Sequence, residues 1–174
     1  MEDQSGVDVR EYSFDDDGRI PNNPDLSLLV YPQALPKRAQ EPSACKELLA
    51  ENGWGGAWTN GVFSYHHYHS NAHEVLAVVR GSANLIFGGP EGATVEMEAG
   101  DVVVIPAGVG HCNAGSGNDF TVIGAYPRGQ ESYDLKTGKP DERPEALENI
   151  RETQLPQADP LFGVEGPLLR HWTG

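Results

Sequence analysis

Between Gly55 and Tyr126 the chain divides into six short runs: "AWTNGVFSYHHYH", "EVLAVVRG", "SANLIFGG", "ATVEMEAG", "DVVVIPAG" and "DFTVIGAY". Clusters of Gly, Pro, Asn or Ser separate most of them. Strand-length runs with turn residues between them form an all-β barrel or sandwich, not a chain of alternating strands and helices. The 21 glycines and 13 prolines among 174 residues favour the same many-turned architecture.

On either side of this region the pattern changes. Residues 1–54 read as an N-terminal arm: a polar stretch with "DDDG" and "PNNP" as turns, a strand over "LSLLVY", and a short helix over "SACKELLAENG". Ser43 is the expected N-cap of that helix, Cys45, Leu48 and Leu49 its apolar stripe, and Asn52-Gly53 its end. Residues 55–127 form the barrel core. Residues 128–174 carry one helix, "PEALENIRE", opened by Pro144. A Pro-rich tail follows, whose Leu161, Phe162, Leu168, Leu169 and Trp172 should pack on the barrel. The length suits one domain with a sizeable core.

Four of the six histidines lie in "SYHHYHSNAHEV". On an extended segment side chains alternate, so His67 and His69 share a face with Phe63 and Tyr65, while His66 and Tyr68 share the other. Glu74 opens the apolar run "VLAVV", where a carboxylate is costly unless its charge is compensated. A divalent cation held by His67, His69 and Glu74 would compensate it. His111 lies just past the valine-rich strand and turn of "GDVVVIPAGVGHCN", where a second hairpin can bring it opposite the first three. Three imidazoles and a carboxylate leave a six-coordinate ion two open positions for water, O2 or a bidentate oxygen substrate.

The spacing resembles the two motifs of the cupin superfamily. Gly61, five residues, His67-Tyr68-His69, four residues, Glu74, six residues, Gly81 matches the first. Gly100, five residues, Pro106-Ala107-Gly108, two residues, His111 matches the second. The second motif usually carries Asn four positions past its His, where this chain has Gly115. "IPNNP", "YHHYHS", "AHEVL" and "GAYPRGQ" extend the likeness to a group of single-domain bacterial cupins. The resemblance implies a double-stranded β-helix (a jelly-roll barrel) with short flanking helices, a homodimer, and one metal held by His67, His69, Glu74 and His111.

The metal would be Fe(II) or Mn(II) in the cell, with Ni, Zn, Co or Cu able to take its place in a purified sample. The expected function is dioxygenase-like oxidation of a small oxygenated metabolite. The alternatives are a non-catalytic metal or small-ligand binding module and a metal-dependent isomerase or decarboxylase. Tyr65, in phase with His67, is the candidate catalytic side chain: its phenol either bonds a metal-bound oxygen or fills the barrel. His66 and His73 read as surface or interface imidazoles, Cys112 as a small buried thiol, and Phe120 and Tyr126 as packing or pocket lining. Trp54 and Trp58 read as core or dimer contacts, and Arg80 as an exposed strand end.

A formal net charge of −14 argues against nucleic-acid and anionic-membrane partners. Two cysteines make no disulfide framework, the N-terminus lacks a basic start and an apolar core, and no apolar run reaches membrane-spanning length. The expectation is a cytoplasmic protein.

Overall fold

The structure, a computed structural model, describes residues 8–173. The expected leader-free start of the chain falls partly on residues 1–7, outside the described residues. Among the described residues nine strands form in chain order: β1 (Arg10–Tyr12), β2 (Leu28–Tyr31), β3 (Trp54–Asn60), β4 (Glu74–Arg80), β5 (Ser82–Phe87), β6 (Ala93–Glu98), β7 (Val102–Ile105), β8 (His111–Ser116) and β9 (Thr121–Pro127). Three α-helices accompany them among the described residues: α1 (Pro42–Glu51), α2 (Glu145–Glu152) and α3 (Pro167–Thr173). The large sheet has the order β1-β2-β7-β4-β9-β3 and the small one β6-β5-β8. All their pairings are antiparallel. This is an all-β jelly-roll barrel with short flanking helices.

Strands β4, β7 and β9 read as unbroken apolar runs because both of their faces are covered. Leu76, Val78, Val103 and Val122 turn inward against Leu85, Phe87 and Met97 of the small sheet. Their neighbours Val75, Ala77, Val104 and Ala125 turn outward, onto α1 through Cys45 and Leu49 and onto the C-terminal tail through Leu161, Leu168 and Trp172. The tail ends in a helix that its Pro-rich sequence does not suggest. Asp159 ties it down. Its carboxylate accepts from the Tyr31 hydroxyl (2.7 Å) and from the amides of Leu161, Phe162 and Leu168. Among the described residues no helix is long and apolar enough to cross a membrane.

Three local expectations are corrected. The run "AWTNGVFSYHHYH" is not one strand: β3 stops at Asn60, whose side chain accepts from the Gly61 amide at 2.8 Å and turns the chain. Only His67 and Tyr68 resume bridging, to His111 and Lys136. The N-cap of α1 is Glu41 rather than Ser43, its carboxylate accepting from the amides of Ser43 and Ala44. Strand β1 emerges from a stretch that composition marks only as polar, because pairing with β2 rather than burial holds its three residues.

Candidate metal centre

Glu74 is the first residue of β4, in phase with Leu76 and Val78, so it points into the barrel, and it is 2% exposed. The segment carrying His67 runs beside the start of β8: the His67 amide donates to the His111 carbonyl at 3.2 Å, and the return bond is 2.9 Å. The turn from Pro106 to Gly110, closed by a Val109 amide to Pro106 carbonyl bond of 3.1 Å, delivers His111 to that position. The His69 carbonyl accepts from the Gly108 amide on the same turn at 2.8 Å. Two segments forty residues apart are thereby stitched together through main-chain bonds, and their imidazoles meet over Glu74.

His69, Glu74 and His111 offer ligand atoms that all lie within 4.8 Å of one another. Nε2 of His69 and Nε2 of His111 stand 3.4 and 3.2 Å from Glu74 Oε1. His67 stands just outside that trio, its ring centroid 4.1 Å from that of His111 and 6.1 Å from that of His69.

In all three rings Nδ1 faces a main-chain carbonyl: Tyr65 for His67 (2.9 Å), Asp134 for His69 and Val109 for His111 (3.2 Å). Only a protonated nitrogen can donate to a carbonyl, so Nδ1 holds the hydrogen and each neutral ring keeps a bare lone pair on Nε2. Glu74 Oε1 is buried and makes no hydrogen bond, even though two imidazole nitrogens face it. Lone pairs gathered around an unpartnered carboxylate oxygen call for a cation, and a divalent ion fits this donor set.

The other carboxylate oxygen is taken. Oε2 accepts from the Tyr126 hydroxyl at 2.6 Å, and the Tyr126 oxygen accepts from Trp58 Nε1 at 2.8 Å. The register of β4 and β9 pairs Val75 with Ala125 and Leu76 with Gly124, which sets Tyr126 across from Glu74. Gly124 leaves room for the indole: a Cβ there would lie 2.2 Å from Trp58 Cζ2.

Burial alone would raise the Glu74 carboxyl, but where the facing imidazoles carry a proton, His69 first, their charge and hydrogen bonds hold it well below the usual carboxylate range. Burial, reinforced by His111, pushes His67 down to about 3. For His69 burial opposes the charged form, yet the Glu74 carboxylate outweighs it and raises the imidazole above its ordinary value. The His69–Glu74 pair can thus be neutralised by a proton on Nε2 or by a metal ion.

The remaining expectations divide. Tyr65 is 45% exposed and stacks on Phe63 (centroids 5.0 Å apart), outside the walls of the metal cavity. The phenol that does reach the cluster is Tyr126, read from sequence as packing or lining. Period-two alternation along β9 would have shown it facing inward, but only the strand register puts it on Glu74. His73, read from sequence as a surface or interface imidazole, is fully buried. Its Nδ1 accepts from the Ala107 amide at 2.9 Å, its Nε2 is unpartnered, and its ring lies 4.9 Å from that of Trp172. His66 is half-buried, Cys112 is buried, and Arg80 is exposed.

A cavity of about 430 Å³ opens onto the cluster, walled by Trp58, Val62, Phe63, Leu76, Tyr133 and Leu135, among others. The loop after β9 supplies Tyr133 and Leu135. Tyr133 stacks on Tyr126 with ring centroids 4.1 Å apart. The same loop is pinned beside the cluster, because the Asp134 carboxylate accepts from the Ser70 amide at 2.6 Å and from its hydroxyl.

Comparison with known proteins adds the following. Residues 58–123 match the family model described as "Cupin domain". The chain is 49% identical over 165 residues to YjlB of Bacillus subtilis (strain 168), an uncharacterized protein, covering 95% of this chain and 97% of that one. Procruciferin, an 11S globulin from Brassica napus, is 16% identical with a TM-score of 0.38, covering 65% of this chain and 23% of its own. A salicylate 1,2-dioxygenase from Pseudaminobacter salicylatoxidans is 14% identical with a TM-score of 0.36, covering 75% of this chain and 30% of its own. The chain thus spans less than a third of the length of either solved protein.

Proposed function

The chain belongs to the cupin family, and from that premise we propose that it is a metal-dependent enzyme performing a dioxygenase-like oxidation of a small oxygenated metabolite. One observation carries the reading: the bare Nε2 atoms of His69 and His111 face an unpartnered, buried Glu74 Oε1, with the His67 ring beside that of His111, at a cavity large enough for a small ligand. His67, His69, Glu74 and His111 would hold one divalent transition metal, Fe(II) or Mn(II) in the cell. When bound, it supplies Lewis acidity or O2 activation.

The protein's own part is orientation and enclosure. The carbonyls of Tyr65, Asp134 and Val109 keep the Nδ1 protons in place, so Nε2 is ready to ligate without a tautomer change. Tyr126 occupies Oε2 and leaves Oε1 as the ligating oxygen. The aromatic and aliphatic walls keep bulk water from a reacting molecule. The reading places the protein in the cytoplasm as a homodimer, which light scattering on the purified chain would test.

The deciding experiment is elemental analysis of tag-free protein reconstituted anaerobically with Fe(II), followed by oxygen-electrode assays across a metabolite panel. About one metal per chain with substrate-dependent O2 uptake supports the reading. Bound metal with ligand-dependent stabilisation and no uptake moves the assignment to a binding module, or to an isomerase or decarboxylase. A chain without metal overturns the four-ligand site.

A further inference from the structure

Among the described residues, no lysine or arginine lines the cavity over the metal centre. Lys136, next in sequence to the lining residue Leu135, has its ammonium 3.9 Å from Asp134 Oδ2. The lining polar groups are few and largely engaged. The Tyr126 hydroxyl already donates to Glu74 and accepts from Trp58, and the Asn60 carbonyl-side oxygen accepts from the Gly61 amide. Beyond the Asn60 amide nitrogen and the Tyr133 hydroxyl, neither of which carries a charge, what remains is rings and aliphatic surface. The apolar character continues outward: of six large hydrophobic side chains exposed among the described residues, Phe63, Tyr133 and Leu135 are cavity walls and Tyr65 stacks on Phe63. Such a concentration of exposed apolar area marks a binding surface.

Charge gives a second, independent limit. Neutral His67, His69 and His111 with ionised Glu74 around a divalent ion leave a single positive charge in a low-dielectric pocket. A chelating molecule that carries one negative charge closes that balance. A second anionic group would be buried among rings with no cation to pair it, in a chain whose formal net charge is already −14. Flat ligands also suit the walls, since Tyr126 and Tyr133 already stack 21° from parallel beside His69, whose ring lies 4.9 Å from that of Tyr133.

We propose that the site takes a flat, apolar-bodied molecule which chelates through adjacent oxygens and bears no charge beyond the one its chelating group yields to the metal. Di- and tricarboxylates and phosphorylated metabolites are excluded as substrates. The proposal rests on the metal reading above and narrows it to one substrate class.

The test uses two probes with the same hydroxypyranone chelating edge. Allomaltol carries a methyl group on its ring where comenic acid carries a carboxylate. Each is titrated by calorimetry into Co(II)-loaded full-length protein whose metal content has been measured, and the Co(II) absorption spectrum reports entry to the metal. Allomaltol should bind at least about tenfold more tightly than comenic acid, the cost of an unpaired buried carboxylate. Leu135→Arg, at a half-exposed wall position that tolerates a polar residue, should narrow or reverse that ratio. Comenic acid binding the parent protein as tightly as allomaltol overturns the substrate class, as does an unchanged ratio in Leu135→Arg. A protein that takes up no Co(II) removes the metal reading itself, a failure distinguishable from either.

Discussion

Tyr126→Phe removes one oxygen from the protein and keeps the ring that stacks on Tyr133. It frees Glu74 Oε2 and leaves Trp58 Nε1 without its acceptor, so metal affinity should fall about tenfold or more while stability falls by only about 1 kcal/mol. Competition with a chromophoric chelator reads the first and urea unfolding the second. Glu74→Gln should weaken metal binding further with an unchanged far-UV spectrum, and a Gln variant that holds metal as tightly as the parent would remove Glu74 from the ligand set. His73 gives a pH prediction. Burial lowers its folded-state value to about 4 from 6.5, so on acidification the unfolded chain binds the proton first. Stability should therefore fall as pH drops from 6.5 towards 4, by on the order of 3 kcal/mol from this group. His73→Asn keeps an acceptor for the Ala107 amide without titrating in that window, and urea midpoints at pH 6.5 and 4.5 should differ less for it than for the parent. The residue scale was partly legible. His67, His69, Glu74 and His111 announce themselves by spacing, because side chains that two hairpins bring to one place must recur at fixed offsets. Tyr126 has no such offset, and His73 looked like a turn residue because nothing in "SNAH" says that Trp172, a hundred residues on, will cover it.

At the level of elements, β3 and β9 meet through an exchange of size. Gly124 has no side chain, and the Trp58 indole lies where one would be. Gly124→Ala should expel the indole, cost about 1–3 kcal/mol from overpacking, and red-shift tryptophan emission as Trp58 moves towards water. The C-terminal tail depends on Asp159. Asp159→Ala strips an acceptor from one hydroxyl and three amides, so a loss of about 2–4 kcal/mol is expected, with amide exchange rising over residues 160–173 ahead of the barrel strands. Helix α2 could be read from Pro144 and its periodic apolar positions. Helix α3 and strand β1 could not. Their sequences are short and carry weak propensity, and tertiary contacts decide them: Trp172 donates to the Ser27 carbonyl at 2.8 Å, and His171 bonds Glu11 of β1.

For the molecule as a whole, apolar runs bounded by glycine and proline made the barrel visible, while the pairing of strands distant in sequence was not encoded in any one of them. Because the folded barrel assembles the proposed ligand set and the unfolded chain does not, a metal bound there would stabilise by mass action. Free metal at a hundred times its dissociation constant adds about 2.7 kcal/mol, so a chelator should lower the melting temperature without changing secondary structure below the transition. The three imidazoles are oriented by carbonyl oxygens from three separate stretches of chain, at Tyr65, Val109 and Asp134. Every residue type carries that atom, so those contacts are indifferent to which amino acid is written at the three positions and strict about where the main chain passes. Point substitutions at Val109 should leave metal uptake largely intact, whereas a one-residue insertion or deletion beside any of the three should abolish it. In descent, this centre can tolerate drift in the letters around it, but not in their number.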